Sequence, residues 1–378
     1  MPSSPSQSSA ASTTRGREAH GPLQIPTSGW KDVLWRVYGE INGDRVMLTA
    51  AGVTYYLLLA FVPGLSAFLS LYGLVADPAT VAEHVGQLRG IVPEGGLQIL
   101  DEQLKRLASE GQATLGITLA ISLAIALWSA NAGVKSLFES MNVAYDEVEK
   151  RSFIKLNAVS LLFTFGAIVT MMLMLGVIVV LPAALAFVGL AEGTEWLIRI
   201  AGFAALLLVL SLGIAALYRW GPDRSAAKWR WITPGAALAL VATIVVSALF
   251  SWYAANFGSY NATYGSLGAL IGFMTWIWLT STLLIVGAEL NSELEHQIST
   301  DSTTGAERPL GSRGAIMADS VAGIDETARD ETVNGAARRR GRAQGRREGA
   351  AIGSLAVAVP AALLLTFLQR RAERSGRW

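Results

Sequence analysis

Six stretches of this chain, at about 46–75, 113–131, 157–188, 196–218, 232–254 and 265–290, are apolar and carry no charged residue other than Arg199 and Glu289. Crossing the roughly 30 Å of a bilayer's hydrocarbon takes about 20 apolar residues in a helix, so each stretch is long enough to span. Within hydrocarbon there is no water to satisfy a peptide N–H or C=O, and the backbone must pair inside its own segment or close into a barrel. Barrel strands alternate over about ten residues; these runs are continuous. The expectation is an all-α integral membrane protein, a six-helix transmembrane bundle. A further apolar run at about 349–369 adds a seventh, C-terminal transmembrane helix.

Composition agrees. Residues are 52% hydrophobic and 16% charged, whereas soluble domains carry about 25% charged residues. The absence of cysteine excludes disulfides, thiolate catalysis, cysteine-ligated zinc and iron–sulfur clusters. The net charge of +1 conceals an asymmetry. Arg15, Arg17, Lys31, Arg36 and Arg45 precede the first run; Lys135, Lys150, Arg151 and Lys155 lie between the second and third; Arg219, Arg224, Lys228 and Arg230 lie between the fourth and fifth; nine arginines follow in 291–348. All of these fall on one side, against Arg89, Lys105, Arg106 and Arg199 on the other. Basic loops stay in the cytoplasm, which predicts a multi-pass protein of the bacterial inner membrane with a cytoplasmic N-terminus.

The chain divides by composition into four parts. Residues 1–29 are rich in Ser, Ala, Thr, Gly and Pro and predict a disordered cytoplasmic leader. Residues 30–295 hold the six-helix domain. It opens with Trp30, Val33, Leu34, Val37, Tyr38 and Ile41 on one helical face and Lys31, Asp32, Arg36 and Glu40 opposite, the pattern of an amphipathic helix on the membrane surface. The acidic loop 76–112, with leucines at helical spacing, predicts a short helix pair on the outer face. Residues 296–348 lack apolar periodicity and predict a disordered Arg-rich cytoplasmic linker. The block Arg338, Arg339, Arg340, Arg342, Arg346 and Arg347 reads first as a topogenic anchor, with anionic lipid headgroups as the alternative partner. It has no interleaved aromatics, so nucleic acid is not an expected partner. Segment 349–378 holds the last apolar run and a basic tail; Arg370, Arg371, Arg374 and Arg377 would lie outside if it spans, and Pro360 leaves a re-entrant segment open.

Catalytic patterns are scarce in the sequence. His20, His84 and His296 are scattered, no pair sits at metal-ligand spacing, and Trp128 stands where a phosphate-binding loop ending in Gly133-Val134-Lys135-Ser136 would need glycine. No enzyme activity, cofactor or metal is expected. Polar residues inside the spans are more informative, because they are costly in lipid unless they face a partner or a water-filled cavity. Glu289 lies at the C-terminal end of the sixth run, where a carboxylate opposes the helix dipole and calls for a cation; Arg45, Lys155 and Arg219 are predicted at that depth. It reads as an interhelical ion pair or as a proton or cation site. Asn131, Asn157 and Asn291 mark the inner ends of their helices. Pro63 falls near the middle of the first run and predicts a kink or break, for packing or to frame a substrate site. Gly265, Gly268 and Gly272 are spaced for close helix packing, and Tyr260 and Tyr264 belong to the outer rim, as belt aromatics or lining an entrance.

The run Phe257-Gly-Ser-Tyr260-Asn-Ala-Thr-Tyr264-Gly265-Ser-Leu-Gly268, then Trp276 and Gly287-Ala288-Glu289-Leu290-Asn291, resembles the carboxy-terminal signature of the YihY/virulence factor BrkB family of bacterial inner-membrane proteins. Tyr55-Tyr56 through Pro63, Ser140-Met-Asn142-Val-Ala-Tyr145 with Arg151, and Tyr218-Arg219 with Pro222 fit as well, in order across about 30–295. The resemblance implies the fold, the inner-membrane location and an association with serum resistance. A former ribonuclease label in the family is regarded as a misassignment, and a ribonuclease would need an acid/base or metal constellation that the residues do not offer. Two functions are compatible with these residues: a transport-related, permease-like protein linked to envelope integrity, with a non-transporting scaffold that organises lipid or envelope partners as the alternative.

Overall fold

The structure is a computed structural model that describes residues 15–75, 112–177, 192–257 and 267–323, with 181 and 185 between them. A 3-10 turn at Pro22–Gln24 leads into α1 (Thr27–Gly43) and then six long helices. These are α2 (Val46–Val75), α3 (Gln112–Ala144), α4 (Phe153–Leu175), α5 (Glu192–Trp220), α6 (Trp229–Phe257) and α7 (Leu267–His296), followed by a single turn, α8 (Ile316–Asp319). Among the described residues no strand occurs; Ala227 and Thr303 form an isolated bridge. Phe153–Met174, Gly193–Trp220, Trp229–Tyr253 and Leu270–His296 are long and apolar enough to cross a membrane, and Val46–Ala60 is a shorter apolar helix. The chain is thus all-helical with four helices of membrane-spanning length among the described residues.

α2 packs along α3, α6 along α7, and α7 also touches α1, α2, α3 and α8, which makes it the hub of the bundle. Close approach of α6 and α7 depends on two glycines that the pattern around Gly268 and Gly272 did not single out. A Cβ on Gly235 would run into the Gly287 carbonyl oxygen and the Asn291 amide, and one on Gly287 into the Tyr218 hydroxyl and the Gly235 carbonyl. Gly268 is buried. Gly272 departs from its expected packing role, since a Cβ there would meet nothing within 4 Å.

Pro63 does not break its helix: α2 runs uninterrupted from Val46 to Val75. Proline removes one donor from the ladder, and membrane helices tolerate this because neighbouring helices and local adjustment re-satisfy the freed group. The side chains around Pro63, the loop 76–111, Tyr260, Tyr264 and Gly265, the arginines 338–347 and the run 349–369 lie outside the described residues.

Residues 15–29 of the leader and 296–323 of the linker, expected to be disordered, are bound to the bundle instead. Of the leader, Ala19 and Ile25 are buried with Val33 and Val37 of α1 and Leu290, Leu294 and Ile298 at the end of α7. Of the linker, Ile298, Met317, Ala318 and Val321 are buried, and the Ala322 N–H donates to the His296 carbonyl at 2.9 Å. The two segments also hold each other, with Ser299 donating to the Arg17 carbonyl and the Arg17 guanidinium to the Ala322 carbonyl at 3.0 Å. Arg313 is 4% exposed and donates to the carbonyls of Ser299, Thr300, Arg308 and Ala318. Their average composition suits disorder, but a few isolated apolar anchors and saturated backbone groups fix them onto the end of α7.

Candidate functional site: the polar base of the bundle

The last nine residues of the α7 region, Glu289 to Gln297, are all buried although they include three glutamates and a histidine. A helix places i and i+4 on one face, so the acids fall into two rows, Glu289 with Glu293 and Asn291 with Glu295. These rows look onto different parts of the molecule.

The first row faces α1. Arg36 donates from Nε to the Glu293 carboxylate at 2.5 Å and from Nη2 to the Glu293 carbonyl and the Gln297 side chain at 3.2 and 2.8 Å. His296 Nδ1 lies 3.5 Å from the same carboxylate. The sequence pattern places Arg36 on the solvent face of an amphipathic helix. Instead the apolar face splits: Val33 and Val37 turn inward with Arg36 beside them, while Leu34, Trp35 and Tyr38 are exposed.

The second row faces the loops. Arg224, 1% exposed in its side chain, donates from Nη2 to both Glu295 oxygens at 2.7 and 2.9 Å, and its guanidinium lies 4.3 Å from the Tyr145 ring centroid. Ser302 adds a 2.6 Å hydrogen bond to Glu295, and the Gly235 N–H donates to Asn291 Oδ1 at 2.8 Å. Burial raises the Tyr145 hydroxyl above its usual range, against the pull of Arg224, so it stays protonated. Burial depresses and Glu295 raises the Arg224 guanidinium, with a net rise that keeps the charge fixed.

Glu289 differs from both. Its side chain is buried, and among the described residues no lysine or arginine pairs with it and no group bonds its Oε1. The charged groups that act on it most strongly are acidic: Asp44, Glu40, Glu293 and Asp146. The expected cations go elsewhere. Arg219 bonds the Ala227 carbonyl and sits over the Trp220 and Trp229 rings at 5.5 and 4.8 Å. Arg45 is exposed at the α1–α2 corner with φ of 50°, and Lys155 is exposed at the start of α4. Asn131 and Asn157 do meet, at 3.2 Å, but Lys135 joins them at 3.1 Å, making a separate polar contact between α3 and α4. Asn291 is therefore the predicted residue that the base shares with Glu289.

The connecting loops brace this base. Arg151 forms a forked pair with Glu149 at 2.7 and 2.6 Å and reaches the Gly221 carbonyl at 2.7 Å, while Asn142 bonds Glu149 and accepts from the Asp223 N–H. Glu147 accepts from the Ile316 N–H at 2.8 Å, tying the loop to α8. Arg36, Glu293, Glu295 and Arg224 were not singled out as site residues, although the i, i+4 acids in Glu289-Leu-Asn-Ser-Glu293-Leu-Glu295 were a readable signal. Among the described residues no group of three or more histidines and acids is placed to hold a metal.

An all-helical chain with several helices of membrane-spanning length and one helix end made of buried ion pairs is an integral membrane protein. The family model described as virulence factor BrkB matches residues 37–310, and the chain belongs to that family. The ribonuclease-like protein YfkH of Bacillus subtilis is 30% identical over 253 residues, 65% of this chain and 88% of that protein. A UPF0761 membrane protein of Neisseria meningitidis serogroup B is 28% identical over 274 residues, 69% of this chain and 63% of the relative. A UPF0761 membrane protein of Xanthomonas campestris pv. campestris is 27% identical over 275 residues, 71% of this chain and 61% of the relative. The chain thus spans about three-fifths of the length of these UPF0761 relatives. No solved structure matches it.

Proposed function

We propose that the protein is a transport-related, permease-like protein of the bacterial cytoplasmic membrane, with a cytoplasmic N-terminus, that contributes to envelope integrity and uses Glu289 as its ion-coupling group. The observation that carries this reading is the inequality among the acids of α7. Glu293 and Glu295 each have an arginine, whereas Glu289, equally buried, has none among the described residues. Ionisable groups at membrane depth are costly and mark ion pathways, and a carboxylate left unpaired among other acids suits a site that a proton or monovalent cation occupies in turn. The sequence carries no phosphate-binding loop, so an ion gradient is the available source of energy for uphill flux.

The test is proton flux into proteoliposomes under an imposed potassium diffusion potential, read by a trapped pH dye, with and without lipid and metabolite extract from cells lacking the gene. The wild type is expected to move protons, and Glu289→Gln at normal abundance to lower the flux at least about tenfold, the effect of one essential proton-carrying group. Full flux and full complementation by Glu289→Gln would sink the coupling role. Absence of flux in the wild type would favour the scaffold, for which the observation is the clamp that residues 15–25 and 296–323 form on the end of α7.

A further inference from the structure

The outward face of α1 has no role in the base and is built unlike the lipid-facing sides of the long helices. α1 is 17 residues long and contains Lys31, Asp32, Arg36 and Glu40, so it is not a span. Its inner side is seated on Leu290 and Leu294, beside the Arg36–Glu293 pair, which holds it at the level of the bundle's polar end. Its outer side forms an open groove of about 550 Å³ lined by Thr27, Trp30, Lys31, Leu34, Trp35 and Tyr38. That volume lies within the range of roughly 300–1,000 Å³ typical of small-molecule sites.

The groove is shaped before anything enters it. The Trp30 indole N–H donates to the Pro22 carbonyl at 3.3 Å, which fixes one wall, and the Trp35 and Tyr38 rings stack with centroids 5.8 Å apart to form the other. Leu34, Trp35 and Tyr38 are exposed, as are the apolar Met47, Leu48, Tyr55 and Leu59 of α2, the helix that follows. Lys31 is the charged member of the lining and has no ion-pair partner among the described residues. A ligand matched to these walls has a long apolar body that continues toward hydrocarbon and an anionic group at one end. Tryptophan and tyrosine favour headgroup depth, and basic residues at that depth attract anionic lipid.

We infer that the outer face of α1 is a binding site for one anionic glycerophospholipid, with its acyl chains against Trp30, Leu34, Trp35 and Tyr38 and its phosphate paired with Lys31. The site depends on membrane location and not on transport, so it stands or falls separately from the role of Glu289.

Native mass spectrometry of the full chain in detergent, titrated with phosphatidylglycerol or phosphatidylcholine, tests it. The wild type is expected to retain one phosphatidylglycerol at concentrations where phosphatidylcholine is not retained. Lys31→Glu should weaken that binding roughly fivefold, the scale of one basic residue near an anionic surface. Trp35→Ala combined with Tyr38→Ala should weaken it about tenfold, and Leu162→Ala on the lipid-facing side of α4 should leave it unchanged. Retention unaltered in both α1 variants would overturn the site, as would an equal loss in Leu162→Ala. If the α1 variants shift the protein to a lower oligomeric mass without changing bound lipid, the groove seats a second copy of the chain and the lipid assignment is wrong.

Discussion

The middle and the base of the bundle are held together by different means. In the apolar 18-residue stretch of each of the four spans no more than 22% of the residues are buried, and large apolar side chains such as Leu162, Phe165, Leu208 and Val241 face outward. At the base, nine consecutive residues from Glu289 are buried, and arginines from α1 and from the α5–α6 loop reach across to them. Lipid tails are as apolar as leucine, so moving a leucine from lipid to protein yields little driving force for association. Glu293 and Glu295 at the base each have one arginine, at one distance. The middle therefore supplies length and solubility in the bilayer, while the base fixes which helix end meets which.

The sharpest test of that division is Arg224→Ala. It leaves the Glu295 carboxylate buried with Ser302 alone of the described residues bonded to it and uncovers the Tyr145 ring. Removing one partner of a buried pair costs roughly 3–5 kcal/mol, because the remaining charge is uncompensated. The expected outcome is a large fall in thermal stability in detergent and in membrane abundance. Arg224→Met combined with Glu295→Met, which removes both charges, should recover much of that loss. If Arg224→Ala melts like the wild type, the base does not organise the bundle and the comparison fails.

The two regions were also unequally legible in the sequence. Where their residues are described, the apolar runs from 46 to 290 fall on the helices α2 to α7, because hydrocarbon imposes one backbone conformation. The base was only partly legible. Glu289 and Asn291 stood out by lying in apolar surroundings, but their environment depends on contacts more than 50 residues away in sequence, such as Gly235 to Asn291 and Arg224 to Glu295. Arg36 looked like a solvated helix face and proved to be a ligand for Glu293. Residues 15–29 and 296–323 looked unstructured because a segment that folds onto another needs only a few anchors, Ile25, Ile298 and Met317 among them, and shows no period of its own.

A smaller effect separates two acids of the bracing loop. Burial lifts the Glu149 carboxyl, but hydrogen bonds and charge from Arg151, with Asn142, outweigh it and hold the group below its ordinary 4.5. Burial wins at Glu147, which is raised despite the Ile316 N–H and the charges of Arg224 and Lys150. The signs are opposite. Folded Glu149 binds a proton less readily than in the unfolded chain, so its contribution is complete above the ordinary carboxylate range and is lost as pH falls through its lowered value. Folded Glu147 binds a proton more readily, so protonation favours the folded state and stability falls as pH rises from the ordinary value through the raised one. Melting curves against pH should show a flatter acid limb for Glu149→Gln, with about 1.5–3 kcal/mol lost at neutral pH, the range for hydrogen bonds to charged groups. Glu147→Gln should remove the opposing trend. Identical acid limbs for wild type and Glu149→Gln would mean that the loop does not brace the base.

The smallest effect is expected in the middle. Leu162 of α4 is 68% exposed, whereas Ile285 of α7 is 1% exposed within the cluster that contains Phe138 and Tyr218. In water-soluble proteins, truncating a buried leucine or isoleucine to alanine costs about 2–5 kcal/mol through lost contacts and the cavity left behind. Ile285→Ala should fall in that range because its neighbours are protein atoms that cannot flow into the space. Leu162→Ala should change stability by no more than about 0.5 kcal/mol, because mobile acyl chains refill the volume and the leucine faces the same medium in the folded helix and in a helix separated from the bundle. Equilibrium unfolding of both variants in the same micelles reads the two numbers against each other. A cost at Leu162 comparable to that at Ile285 would show that its outward face is covered by protein, and the lipid-facing side of α4 would then have to be redrawn as an interface.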